Sequence, residues 1–283
     1  MGIPKRLIHV WGKMDAPSVL TAQAPSLSLS CRASMVSATL LHPDYEHIFL
    51  DDAAINEFLK RECPEYEAVY FALSGVQRFD FVRYLAVHHY GGFYFDLDVY
   101  LARSLEPLRQ HSCVFPFEEL TLSRYLRQQH RWDWELGNFG FGAEAGHPFI
   151  SAVIRNCVRA FQEPTWAAQL TSNIPAPFRK QFVAPNMTGP GLITRTLAEN
   201  RDLQATVTIL FPEDVRDEAS WHRFGDYGVH LMNASWRQKD GFVRRRFARA
   251  WEQRTRQRLN RDSHRLGGRR SGDWLSVLPS ALW

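Results

Sequence analysis

No stretch of the 283-residue chain approaches the roughly 18 uninterrupted apolar residues that a membrane-spanning helix requires, so any membrane association is expected to be peripheral. Close cysteine pairs are missing too. Cys31, Cys63, Cys113 and Cys157 lie far apart, in no zinc-site or redox spacing, and are expected to be reduced thiols. Repeats of fixed period and low-complexity tracts are absent, and 15 Pro, 17 Gly and 13% aromatic residues argue against a coiled coil or a disordered chain. The opening Met1-Gly-Ile-Pro-Lys-Arg-Leu-Ile-His-Val has neither the basic region nor the long apolar region of a signal peptide, so secretion is not expected. What is present, 45% hydrophobic and 23% charged residues, suits a compact, enzyme-sized globular fold in the cytoplasm.

The net charge of +4 conceals an asymmetry. Residues 241–283 carry eleven Arg against Glu252, Asp262 and Asp273, a local +8 that leaves residues 1–240 near −4. The chain therefore divides into a candidate catalytic domain over 1–240 and a basic C-terminal segment over 241–283. In that segment Arg244 to Arg270 reads as partly helical, and Trp274 to Leu278, Leu282 and Trp283 are apolar anchors. Such a tail suits peripheral contact with an anionic membrane surface, at the inner face, or packing on the domain. Nucleic acid is not expected as a partner, because no recognised motif accompanies the charge.

Leu7 to Trp11 and His47 to Leu50 read as short buried strands, and Val19 to Leu41, interrupted by Pro25, is long enough for the helix between them. This βαβ opening predicts an α/β fold with parallel strands. Val76, Phe79, Val82 or Arg83, Ala86 and Tyr90 recur at helical spacing from Ser74 to Tyr90, and Gly91-Gly92 supplies the stop. Phe93 to Phe95 must then be a strand, delivering Asp96-Leu97-Asp98 where a sheet opens into a loop. Further on, strands are expected at Cys113 to Phe117, Val207 to Phe211 and Gly228 to Met232, and helices at Pro148 to Phe161 and Gly191 to Asn200.

Asp96 and Asp98 have one residue between them, so in an extended stretch both carboxylates face one point. Two hard oxygen ligands aimed together suit Mn²⁺ or Mg²⁺. Asp80 and Arg83, three apart, share a helix face. His230 is a candidate third metal ligand or an ordinary strand histidine, and Trp11 a candidate base-stacking ring or a core aromatic. Asn138 is a sugar-contacting or a turn residue. Trp132 and Trp134 form either an acceptor platform or core, Thr188 reads as a helix cap before Gly189-Pro190, and His88 and His89 as helix-end residues.

The run Ser74-Gly-Val-Gln-Arg-Phe-Asp-Phe-Val-Arg83 through Gly91-Gly-Phe-Tyr-Phe-Asp-Leu-Asp98 resembles the sugar-binding D-x-D region of glycosyltransferase family 32, and the corresponding region of the large clostridial glucosylating toxins. Ile3 to Trp11, Pro43 to Asp52, Asn138 to Ala143, Gly146 to Pro148, Thr188 to Pro190, His230 and Ser235-Trp236 extend the likeness over residues 3–237. The resemblance implies a GT-A type nucleotide-diphospho-sugar transferase fold, a single Rossmann-like domain with a mostly parallel central sheet, and transfer with retention. By resemblance, Asp98 ligates the metal, Asp96 binds the ribose and reaches the metal through water, Asp80 and Arg83 hold the donor sugar, and Ser235 and Trp236 contact the diphosphate. The implied partners are a GDP- or UDP-sugar and a glycan or glycolipid acceptor, as in polysaccharide or glycolipid synthesis. The alternatives are an effector-type transferase acting on a protein, an inactive sugar-binding module, and a haloacid dehalogenase-like phosphatase. Against the last, Val99-Tyr100 follow Asp98 where that signature places small residues.

Overall fold

The computed structural model describes residues 2–12, 27–232 and 242–262. Strand β1 (Arg6–Val10) opens the fold, and α1 (Leu29–Leu41) starts at Ser28, whose hydroxyl accepts the Cys31 N–H. β2 (Glu46–Leu50) runs into Asp51, which caps α2 (Asp52–Glu62) by accepting from the Ala54 N–H. After α3 (Glu67–Ala72) comes α4 (Val76–Tyr90), which ends at Gly91 with φ +63°. β3 (Gly92–Phe95) and β4 (Val99–Leu101) follow, then β5 (Cys113–Leu120), α5 (Arg124–Gln129), β6 (Trp134–Leu136) and β7 (Gly140–Ala143). Helices α6 (Pro148–Gln162), α7 (Pro164–Ala168), α8 (Val183–Met187), α9 (Pro190–Glu199) and α10 (Arg201–Gln204) precede β8 (Thr208–Leu210), β9 (Arg223–Phe224), β10 (Gly228–His230) and α11 (Phe242–Asp262).

The main sheet has the order β2-β1-β3-β7-β5-β6, with β8 also paired to β5. β1 pairs in parallel with β2 and β3, and β5 with β8, whereas β7 is antiparallel to both β3 and β5, and β6 to β5. Five strands therefore point one way, and β6 and β7 point the other. A small antiparallel sheet, β4-β10-β9, stands beside it. Because both faces of the main sheet are covered, its strands read as nearly continuous apolar runs. Phe93 and Phe95 of β3 enter one core with Leu7, Val114 and Phe224, while Tyr94 enters the other with Ile8, Phe115, Phe141 and the buried side of α4.

Two glycine features shape this packing. A Cβ on Gly140 or Gly142 would fall within 2.6 or 2.4 Å of the Phe95 or Phe93 ring, so the alternation Phe139-Gly-Phe-Gly142 seats those rings on the neighbouring strand. Gly92 has φ +114°, and a Cβ there would lie 2.6 Å from Cβ of Arg6. Gly92→Ala is expected to lower stability by more than about 1 kcal/mol, seen as a lower urea midpoint; an unchanged midpoint would contradict this account of the α4–β3 corner.

Trp132 and Trp134 are buried, with ring centroids 4.6 Å apart, and Trp134 packs edge-on to Phe211, so they belong to the core and form no exposed platform. All four cysteines are free thiols. No helix among the described residues is long and apolar enough to cross a membrane. Of the basic segment, the described helix α11 packs on the domain: Trp251 meets Phe178 and Phe182 at 5.7 and 6.4 Å, and Asn260 Nδ2 donates to the Arg216 carbonyl at 2.8 Å.

Candidate active site

Asp96 leaves the end of β3, and its N–H donates to the Phe139 carbonyl at 2.7 Å. The chain then turns: the Val99 N–H donates back to the Asp96 carbonyl at 3.0 Å, closing a four-residue turn. The two carboxylates thus converge through a turn, not through the alternation of an extended strand. From the small sheet, Leu231 N–H donates to the Asp98 carbonyl at 2.8 Å, which brings His230 alongside. Nε2 of His230 lies 3.3 Å from Oδ1 of Asp98, and its ring stacks on Phe139 at 4.7 Å. Ligand atoms of Asp96, Asp98 and His230 lie within 4.8 Å of one another.

Burial alone would depress the His230 pKa, but Asp98 and Asp96 beside it leave it raised. Burial pushes Asp96 up, opposed by Arg83. Asp80 is raised by burial in the same way. Three carboxyl groups and one imidazole thus share a buried site with the Arg83 guanidinium, and three donor atoms at this separation, two oxygens and an imidazole nitrogen, fit the first shell of Mn²⁺ or Mg²⁺.

Arg83 sits behind the pair. Its guanidinium bridges Asp96 and Asp80, at 3.1 Å each, donates to the Asn138 carbonyl at 2.8 Å and covers the Tyr94 ring at 4.7 Å. Although burial works against its charge, Asp96, Tyr94 and Asp80 hold its pKa above the ordinary value. The Tyr94 hydroxyl donates to Asp96. Asp80 is satisfied on all sides: Asn138 Nδ2 donates to Oδ1 at 3.0 Å, and the Thr188 hydroxyl to Oδ2 at 2.8 Å.

Thr188 is therefore no helix cap. Gly189 holds the cap position of α9 without a side-chain bond, and the hydroxyl of Thr188 is spent on Asp80, 108 residues earlier. At this same end of β3, His9 Nδ1 pairs with the Phe95 carbonyl at 2.9 Å; burial lowers its pKa to about 4, so it stays neutral there. Trp11, Asp80, Arg83, Asp96, Asp98, Asn138 and His230 all line one cavity of about 840 Å³. Ser235 and Trp236 lie outside the described residues. His88 bonds to the Ser151 hydroxyl, away from this cavity, as a helix-end residue would.

Residues 30–115, which include Asp80, Arg83, Asp96 and Asp98, match the family described as "Glycosyltransferase sugar-binding region containing DXD motif". Related sequences follow the same line: the inositol phosphoceramide mannosyltransferase 3 of Schizosaccharomyces pombe is 29% identical over 158 residues, covering 56% of this chain and 38% of that protein. The mannosyl phosphorylinositol ceramide synthase SUR1 of Saccharomyces cerevisiae is 41% identical over 117 residues, covering 41% of this chain and 27% of that protein. The chain is similar in this region to DXD-type glycosyltransferases. It spans about a third of the length of the curated relatives it matches. Among solved structures it is similar to the PaToxG glycosyltransferase, with a TM-score of 0.45 and 14% identity over 72% of this chain and 71% of that one. The ligand-free glycosyltransferase domain of the YGT toxin aligns with a TM-score of 0.44 and 9% identity, over 74% and 80%. The architecture is α/β, as expected, with β7 inserted antiparallel in a sheet whose strands mostly run one way.

One further group of acidic residues faces the cavity and carries no motif along the chain. Glu118, Glu119 and Glu135 line the same cavity, brought together by the pairing of β5 with β6. Burial, with Glu119 nearby, pushes Glu135 up to about 8. Below its ordinary value of 4.5 both folded and unfolded chains hold this proton, so burial costs no ionisation there. The cost grows as pH rises towards 8 and is complete above it. Glu135→Gln is expected to raise the melting temperature relative to wild type at pH 8.5 and to change it little at pH 5; a gap independent of pH would contradict this.

Proposed function

We propose that this chain is a metal-dependent glycosyltransferase that moves a hexosyl group from a nucleotide diphospho-sugar to a hydroxyl of a glycolipid or glycan. The observation that carries the reading is the convergence of Asp96, Asp98 and His230 in the wall of the 840 Å³ cavity, inside or beside the matched DXD region. Breaking the glycosidic bond leaves a nucleoside diphosphate that gains negative charge, and a divalent cation held by Asp98, Asp96 and His230 would stabilise that charge.

The chain's own groups set the frame for this. Arg83 and the Tyr94 hydroxyl fix the Asp96 carboxylate from behind, and Asp80, through Thr188 and Asn138, fixes Arg83. We therefore assign Asp80, Arg83 and Asn138 chiefly to positioning, with Trp11 at the cavity rim as the stacking ring for the base. Because the named relatives are an inositol phosphoceramide mannosyltransferase and a mannosyl phosphorylinositol ceramide synthase, GDP-mannose and an inositol-phosphate lipid are the first donor and acceptor to try. Retention, through attack on the donor face that the diphosphate leaves, goes with the family reading, and a peripheral site at the inner membrane face would bring a lipid acceptor within reach.

The test is hydrolysis of GDP-mannose, UDP-galactose, UDP-glucose and UDP-N-acetylglucosamine, each with Mn²⁺ and with EDTA. Release of one nucleoside diphosphate only when the metal is present is the expected result. Failure on all four, together with hydrolysis of a phosphomonoester, would replace the transferase reading with the phosphatase one.

A further inference from the structure

The cavity continues past the aspartates to a second wall, made by β5, β6 and α11. Trp251 anchors α11 on Phe178 and Phe182, and this seats Arg256 in the lining. Arg256 donates to Glu252 at 2.9 Å and reaches Glu119 across the cavity wall. Beside it, Glu135 accepts from the Thr121 hydroxyl at 2.6 Å, and Glu118 pairs with His222 at 3.3 Å.

The charge at this end decides what it can receive. Glu118, Glu119 and Glu252 face Arg249, Arg256 and His222 here, a nearly balanced set, so no surplus of positive charge draws a diphosphate to this end; it belongs at the Asp96–Asp98–His230 end, where a cation would offset it. A neutral ring bearing neighbouring hydroxyls suits it instead, because carboxylates accept from hydroxyls while a guanidinium and a protonated carboxyl donate to them. Glu135, pushed up to about 8, keeps its proton at neutral pH and adds such a donor.

Resting on the transferase reading, we propose that α11 is the acceptor wall of the pocket, and that Arg256 is a positioning residue holding Glu119 beside Glu118 and Glu135 to receive a neutral polyol. The basic helix then belongs to the catalytic unit.

The experiment uses the full chain, Mn²⁺ and whichever of the four nucleotide sugars it hydrolyses, with methyl α-D-mannopyranoside and myo-inositol as acceptor probes. Transfer and hydrolysis are measured for wild type, Arg256→Gln, Arg256→Lys and Glu119→Gln. Arg256→Gln is expected to raise the acceptor KM about tenfold while the donor KM moves less than about twofold, with Arg256→Lys recovering part of the loss. Should Arg256→Gln fail to fold, Glu119→Gln carries the same expectation. Equal shifts in both KM values, no shift in either, or no diversion of hydrolysis by either polyol in wild type would overturn the inference. Absence of hydrolysis with every donor would count instead against the transferase reading.

Discussion

Replacing Asp98 with Ala is expected to reduce sugar transfer by roughly three orders of magnitude without lowering the melting temperature of the metal-free protein. The two halves of that result have one cause. Asp98 shares a small volume with Asp96, close enough for their atoms and those of His230 to lie within 4.8 Å, so in the empty protein its charge opposes its neighbour's. Removing it relieves that repulsion and gives up the pair with His230, which keeps Asp96 beside it, so little stability is lost while the group that would face a diphosphate is gone. The checks are Mn²⁺-dependent turnover of the accepted donor and a melting curve in EDTA. A variant that kept a tenth or more of wild-type activity would remove Asp98 from the site. One that was inactive but strongly destabilised would make it a structural residue.

Arg83→Met should behave in the opposite way, unfolding the protein before its chemistry can be asked about. The guanidinium is the cation set between Asp80 and Asp96, and it also donates to the carbonyls of Asn138 and Phe79. Removing one partner from a buried network of this kind costs about 3–5 kcal/mol, because uncompensated charge stays inside. The sign with pH follows from the carboxylates. Burial already raises Asp80 and Asp96, and without Arg83 both rise further, so they take up protons more readily in the folded variant. The deficit should therefore be largest at pH 8 and shrink towards pH 5, measured by urea unfolding at both. A deficit that did not change with pH would mean that packing over Tyr94, not charge, is what Arg83 supplies.

These contrasts also explain what could and could not be seen along the chain. The pair at Asp96 and Asp98 is legible because it is local: a helix with a glycine stop, a four-residue strand and two carboxylates follow one another without interruption. The way the pair converges was not legible. Alternation in an extended strand and a hydrogen-bonded turn are written with the same three residues, and the choice depends on β4 being drawn away to pair with β10. The antiparallel insertion of β7 is hidden for a related reason, since Gly140 to Ala143 records which rings it must admit but not the direction in which it runs.

Long-range polar contacts were the least visible. The Thr188 hydroxyl looked like a cap because a threonine before Gly-Pro so often is one, and nothing nearby in sequence points to Asp80. Glu118 and Glu119 end an apolar strand, and Glu135 sits between tryptophan and leucine. Only the register that sets Phe117 opposite Leu136 and Leu120 opposite Trp134 makes them one surface.

The third member of the Asp96–Asp98–His230 set arrives late in time as well as in sequence. At roughly 5–20 residues per second of synthesis, the stretch between Asp98 and His230 takes on the order of ten seconds to emerge from a ribosome. Until β10 appears, β4 has no partner among the described strands and the carboxylate pair has no imidazole beside it. A nascent chain can thus settle most of its main sheet while this cluster stays incomplete, so any ion the three groups hold would have to wait for β10.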